Sequence, residues 1–224
     1  FGAYEFWEKA RKRGIKPIIG VEAYLTPGTS RKDHTRVQWG TEAQRRAGDD
    51  VSARGAYTHM TLLARTTEGM HNLFRMASLA SIEGQYGKWP RMDRDLLETY
   101  AHGLIGTAGC PSGEVQTRLR LGQYDEALRA AADFQDIFGK ENFYVELMDH
   151  GLEIERRVRN DLLQIAKTLN APLIATNDSH YVKPEDAVPH SALLCLQSNS
   201  TLDDPDRFKF DSDTFYIRSA AEMR

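Results

Sequence analysis

The sequence predicts an α/β fold on a mainly parallel sheet, and three observations predict it. Short apolar runs suited to buried strands alternate with longer stretches of helical period along most of the chain. The helical stretches carry one-sided apolar stripes, such as Ile154, Val158, Leu162, Ile165 and Leu169. At 224 residues, the chain can bury a good core as one large domain or two small ones.

The elements follow in order. "AYEFWEKARKR" (3–13) reads as a helix with a basic last turn, stopped by Gly14. "KPIIGVEAYL" (16–25) is a strand. After a long polar stretch, "HMTLLAR" (59–65) is a second strand and residues 68–84 a helix. "GLIGTAG" (103–109) is a short strand running into Cys110. Residues 124–139 form a helix with Tyr124, Leu128, Ala131 and Phe138 roughly on one face. "NFYVELM" (142–148) is a strand, 153–170 a helix, "APLIAT" (171–176) the last strand, and a final helix begins near Pro184. Such alternation suits a sheet that is open or closed into a barrel, with ligands at the carboxyl ends of its strands.

Composition narrows the function classes. Apolar residues make up 41% and charged residues 27%, ordinary for a soluble globular protein. No apolar run reaches membrane-spanning length and no signal-peptide pattern opens the chain. Cys110 and Cys195 are too few for a disulfide framework, so a reducing cytoplasm is expected. A net charge of −3 argues against a surface wholly given to nucleic acid, while leaving room for a local basic groove. The first residue is Phe1, in what reads as the start of a helix, so a piece of something longer is expected.

The strand-end rule picks out Glu22, Cys110, His150 and the pair Asp178/His180. In "PLIATNDSHY" (172–181) an apolar strand runs into a carboxylate and an imidazole two residues apart, which on extended chain point the same way. Both are good ligands for zinc-like or manganese-like cations; Asn177, Asp178 and Ser179 also suit a turn. Glu22 sits inside an apolar strand, where an unpaired carboxylate is costly. Taken on its own, Cys110 reads first as a small buried apolar residue and only second as a ligand. His59 stands at the start of its strand, so the rule does not place it, and a hydrogen bond to a loop carbonyl would also satisfy it. His150, with Glu146 and Asp149, is read as structural. His34 is read as solvated and Cys195 as core; His71, His102 and His190 have no special spacing. Residues 26–56 carry six Arg/Lys against four Asp/Glu and read as a functional flap or a solvated excursion. The basic runs at 9–16 and 156–159 read as helix surface.

"KPIIGVEAYL", "GLIGTAGCPSGEVQTRLRLGQ", "FYVELMDHG" and "LIATNDSHYVKPEDA" resemble the PHP (polymerase and histidinol phosphatase) domain of the bacterial DNA polymerase III α subunit, in wording nearest the actinobacterial type. "HSALLCLQS" and "DRFKFDSDTFYIRSAAEM" are similar to the stretch leading from that domain toward the polymerase body. The resemblance implies a distorted (β/α)7 barrel, incomplete here at its N-terminus, with residues 1–198 as the domain and 199–224 leading onward. It implies up to three divalent metals, zinc and/or manganese, held in part by Glu22, His59, Cys110, Asp178 and His180. Glu22, Asp178 and His180 would act directly in catalysis. The family's opening His-x-His motif, the Asp after it and a second Asp-His motif are expected upstream of Phe1. The implied activity is 3′→5′ exonucleolytic proofreading within a replicative DNA polymerase. Implied partners are a DNA primer-template, the rest of the α subunit and replisome components such as the sliding clamp. A metal-stabilised scaffold and a free-standing phosphoesterase for small monoesters are the alternatives. Clustered metals suit this chemistry because they lower the pKa of bound water and absorb charge on phosphoryl oxygens.

Overall fold

A computed structural model describes residues 2–224; Phe1 lies outside the described residues. In chain order the elements are α1 (Ala3–Lys12), β1 (Gly20–Leu25), α2 (Glu42–Arg46), α3 (Ser52–Gly55), β2 (Thr58–Ala64), α4 (Thr67–Glu83), β3 (Gln85–Tyr86), β4 (Trp89–Met92), α5 (Arg94–Tyr100), β5 (Leu104–Thr107), α6 (Glu114–Arg120), α7 (Tyr124–Phe138), β6 (Phe143–Leu147), α8 (Glu153–Leu169), β7 (Leu173–Ala175), a 3₁₀ turn (Pro184–Asp186) and α9 (Ala187–Ser198). The strands form one sheet in the order β3-β4-β1-β2-β5-β6-β7, open among the described residues.

Strands β1, β4, β5, β6 and β7 run one way, and β2 and β3 run against them. The expected mainly parallel sheet is therefore present, with a reversed strand near its middle. That reversal decides where the site can form: the first residues of β2 lie at the same edge as the carboxyl ends of β1 and β5.

Alternation along the strands gives the sheet two unlike faces. Ala23, Leu25, Met60, Leu62 and Leu104 enter the core, where Leu73, Met76 and Ala80 of α4 and Leu96 and Leu97 of α5 are also buried. Phe143 and Val145 of β6 share that core with Phe134 and Phe138 of α7 and Val158, Leu162 and Ile165 of α8. The other face carries a row set by register, with Glu22 beside Thr61 and Thr61 beside Thr107. Thr107 Oγ1 donates to Glu146 Oε2 (2.6 Å), and Thr176 Oγ1 donates to the other carboxylate oxygen. A polar row thus crosses the sheet from β1 to the end of β7.

The stretch 26–56 is tied down rather than loosely solvated. Arg31 makes ion pairs with Asp93 and Glu83. The fully buried Arg91 donates to the carbonyls of Ala56, Arg31 and Asp33. Asp50 accepts from the backbone N–H groups of Trp39, Gly40 and Val51, and Thr41 and Gln44 form a capping box on α2. The basic runs lie on exposed helix faces as expected, with Lys9 and Lys12 paired to Glu5 and Glu8.

Candidate metal centre

Three of the five expected ligands converge. Glu22 projects from the middle of β1, and His59 from the first turn of β2 opposite Tyr24, one pleat along on the same face. Cys110 follows β5 by a three-residue exit. Glu22 Oε1 lies 2.7 Å from His59 Nδ1, and Cys110 Sγ lies 3.7 Å from each. One ligand atom from each residue falls within 4.8 Å of the others. His59 is held by aromatic packing: Tyr57 stacks on its ring at 5.1 Å and Tyr24 meets it edge-on at 5.1 Å.

The turn carrying Cys110 depends on close approach. A Cβ on Gly109 would sit 2.1 Å from Glu146 Cβ, so only glycine lets the chain pass over β6 here. Gln116 of α6 donates to the Gly109 carbonyl, and the His59 N–H donates to the Ser112 carbonyl (3.0 Å). Glu146 is thus a buried support for this turn. Its signal was the one that marked Glu22, a carboxylate within an apolar strand.

Asp178 and His180 stand beside the trio without joining its tight cluster. The chain leaves β7 at Ala175, and Asp178 adopts φ 41°, so the extended alternation expected to aim both side chains together does not apply. His180 Nδ1 instead donates to the Asp178 carbonyl (2.6 Å), leaving Nε2 as the nitrogen for a ligand. The loop is fixed from the far end of the chain. Asn177 donates to the carbonyls of Thr214 and Tyr216, the His180 N–H donates to Phe215, and Tyr181 bridges to Tyr216. His190 lies 5.7 Å from the His180 ring, a proximity its sequence spacing gave no sign of.

His150 is structural, as expected, and fully committed. Nδ1 donates to Glu155 Oε1 (2.5 Å), Nε2 donates to the Asn177 carbonyl (3.0 Å), and Phe215 stacks on the ring at 4.0 Å. Burial alone would lower its pKa, but these acceptors raise it, and burial's upward push on Glu155 is likewise outweighed by the hydrogen bonds from His150.

The electrostatics of the trio favour a cation. The hydrogen bond from His59 holds Glu22 below the usual carboxylate range. Burial, reinforced by the Glu22 charge, pushes the Cys110 thiol up, and burial together with Glu22 raises Asp178. Several acidic groups thus crowd a place with little positive charge, and a divalent ion would relieve them together. The donor set of one carboxylate, one imidazole and one sulfur suits zinc. The 3.7 Å sulfur separations are close to the roughly 3.6 Å expected for S and N or O donors around tetrahedral zinc, while the 2.7 Å Glu22–His59 contact is a hydrogen bond that a bound ion would replace. His59 Nε2 is buried without a hydrogen-bond partner.

The seven strands keep the barrel-like α/β pattern that the resemblance implies, although the sheet does not close into a barrel among the described residues, and a Glu/His/Cys trio able to take a metal lies at its strand edge. A family model described as the PHP domain matches residues 1–150, and the chain belongs to that family. Among its relatives, the DNA polymerase III subunit alpha of Saccharopolyspora erythraea is 62% identical over the whole chain, which spans 19% of that protein. The Mycobacterium tuberculosis protein of the same name is 58% identical, again over the whole chain and 19% of the relative. The Thermus aquaticus one is 41% identical over the whole chain and 17% of the relative. The chain therefore spans about a fifth of the length of these relatives. No helix among the described residues is long and apolar enough to cross a membrane.

Proposed function

We propose that this chain is the PHP-domain portion of a replicative DNA polymerase III α subunit, acting in DNA replication in the cytoplasm. Its metal centre would serve 3′→5′ exonucleolytic proofreading. The convergence of Glu22, His59 and Cys110 carries the reading, and the relatives' shared name supports the polymerase context. Residues 1–198 are taken as the domain and 199–224 as the lead toward the polymerase body. The partners are then primer-template DNA, the remainder of the subunit and the sliding clamp.

Glu22, His59 and Cys110 would hold a divalent ion, zinc or manganese, with Asp178 and His180 completing its surroundings from the neighbouring loop. When bound, such an ion supplies an acidified water and charge stabilisation at phosphoryl oxygens. The chain's own residues do the rest. Glu22 and Asp178 offset cationic charge. His180, oriented by its Nδ1 bond to the Asp178 carbonyl, would keep Nε2 for the metal or the reacting groups. Tyr57 and Tyr24 restrict water around His59.

The test is degradation of a 3′-mispaired primer by the full-length polymerase. Asp178→Asn and His180→Ala should each abolish trimming while leaving primer extension intact. A full-length protein that binds metal stoichiometrically and never trims would leave the scaffold role, which the tethering of the site loop by residues 214–216 also suits.

A further inference from the structure

Between residues 38–55 and the turn after Cys110 lies a cleft of about 540 Å³ that the metal trio does not use. Arg45, Arg46, Arg54 and Arg120 line it, against the acids Glu42 and Asp50. Glu42 offsets one of these arginines, while Arg45 and Arg54 have no ion-pair partner among the described residues. Glu42 pairs with Arg46, and Asp50 is taken up by three backbone N–H groups.

Arg120 lies in its wall. The side chain is only 3% exposed, and its Nε lies at ion-pair distance, 3.9 Å, from Asp49, a carboxylate that Arg157 also engages at 3.1 Å. Its other nitrogens donate to the Pro111 carbonyl and Thr117 Oγ1, which fixes the guanidinium in place. Arg120 and Arg157 thus share a single carboxylate, which leaves positive charge in excess at this part of the cleft. Also in the lining, Arg54 is exposed and held at φ 59° beside Ala53 at φ 50°. Gly55 locks this turn against Val37, whose carbonyl oxygen would lie 2.2 Å from any added Cβ. Strain of this kind in two non-glycine residues persists only where the surroundings enforce it.

We propose that this cleft seats a backbone phosphate of single-stranded nucleic acid. Planar guanidinium groups match phosphate oxygens in paired hydrogen bonds. The lining holds no aromatic side chain on which a base would stack, so recognition is of the backbone and independent of sequence. Pro111 and Ser112 are part of the lining, and the Ser112 carbonyl accepts the His59 N–H, so cleft and metal trio share a single turn. A strand leaving the cleft across that turn would deliver its next phosphate to the trio; this trajectory rests on the function proposed above, whereas the phosphate site does not.

The experiment is titration of a short fluorescein-labelled oligothymidylate against the 224-residue chain over a range of salt concentrations, with and without EDTA. Arg54→Gln and Arg45→Gln should each weaken binding several-fold and lower the salt slope by about 0.7 per lost contact. Arg129→Gln, which removes the same charge from exposed α7, should change neither. EDTA should leave binding intact, and inorganic phosphate should displace the oligonucleotide better than chloride at equal ionic strength. Absence of binding, equal losses in Arg129→Gln, or affinity and slope unchanged in both cleft variants would overturn the proposal. So would binding that EDTA abolishes and the cleft variants spare, which would put the phosphate on the metal centre.

Discussion

The two halves of the candidate centre are built by different means. Glu22, His59 and Cys110 sit on adjoining strands or one short exit from them, and strand register together with the tight Gly109 turn brings them within 4.8 Å. Asp178 and His180 sit on a loop whose shape depends on Asn177, His150 and a segment about 37 residues away in sequence. The first half is preorganised by the sheet. The second is assembled by tertiary contacts, and perturbations should separate the two.

The largest expected effect is on the loop half. His150→Ala leaves Glu155 buried and unpaired and should cost about 3–5 kcal/mol in chemical denaturation. The pH dependence follows from the shifts. The His150 contribution is complete below the ordinary value of 6.5 and is lost as pH rises through its raised folded pKa. The Glu155 contribution is complete above the ordinary 4.5 and is lost as pH falls through its lowered folded pKa. The difference between wild type and His150→Ala should therefore be flat from about pH 4.5 to 6.5 and shrink on either side.

Gly109→Ala breaks the strand half instead. The added methyl would collide with Glu146, so a loss of about 1–3 kcal/mol is expected, together with weakened zinc affinity as Cys110 is displaced. The smallest effect sharpens the contrast. Asn177→Ala removes two hydrogen bonds worth about 1 kcal/mol each. Isothermal titration should show zinc affinity reduced by about 10-fold, the lower end for a lost outer partner, whereas Glu22→Gln should cost considerably more.

The same contrast explains what the sequence disclosed. Cys110 and Glu22 were legible because a strand exit and a charge within an apolar run are local signals. His59 resisted placement because nothing in "HMTLLAR" reports strand direction. The 26–56 connection is long enough for a parallel crossover, yet it returns the chain antiparallel and so puts the start of β2 at the ligand edge. Asp178 and His180 were legible as residue types, while their geometry was not, since φ 41° at Asp178 follows from contacts with residues 214–216. Strands β3 and β4 and helices α5 and α6 escaped notice for a simpler reason. None exceeds seven residues, too short for periodicity to stand out.

The central claim is that Glu22, His59 and Cys110 of the strand half are direct ligands of a metal ion. Zinc K-edge X-ray absorption on the zinc-loaded chain tests it most directly. A single sulfur at about 2.3 Å alongside nitrogen and oxygen, lost in Cys110→Ser, is the predicted result. A wild-type shell of nitrogen and oxygen only, or a sulfur shell that survives Cys110→Ser, would contradict it.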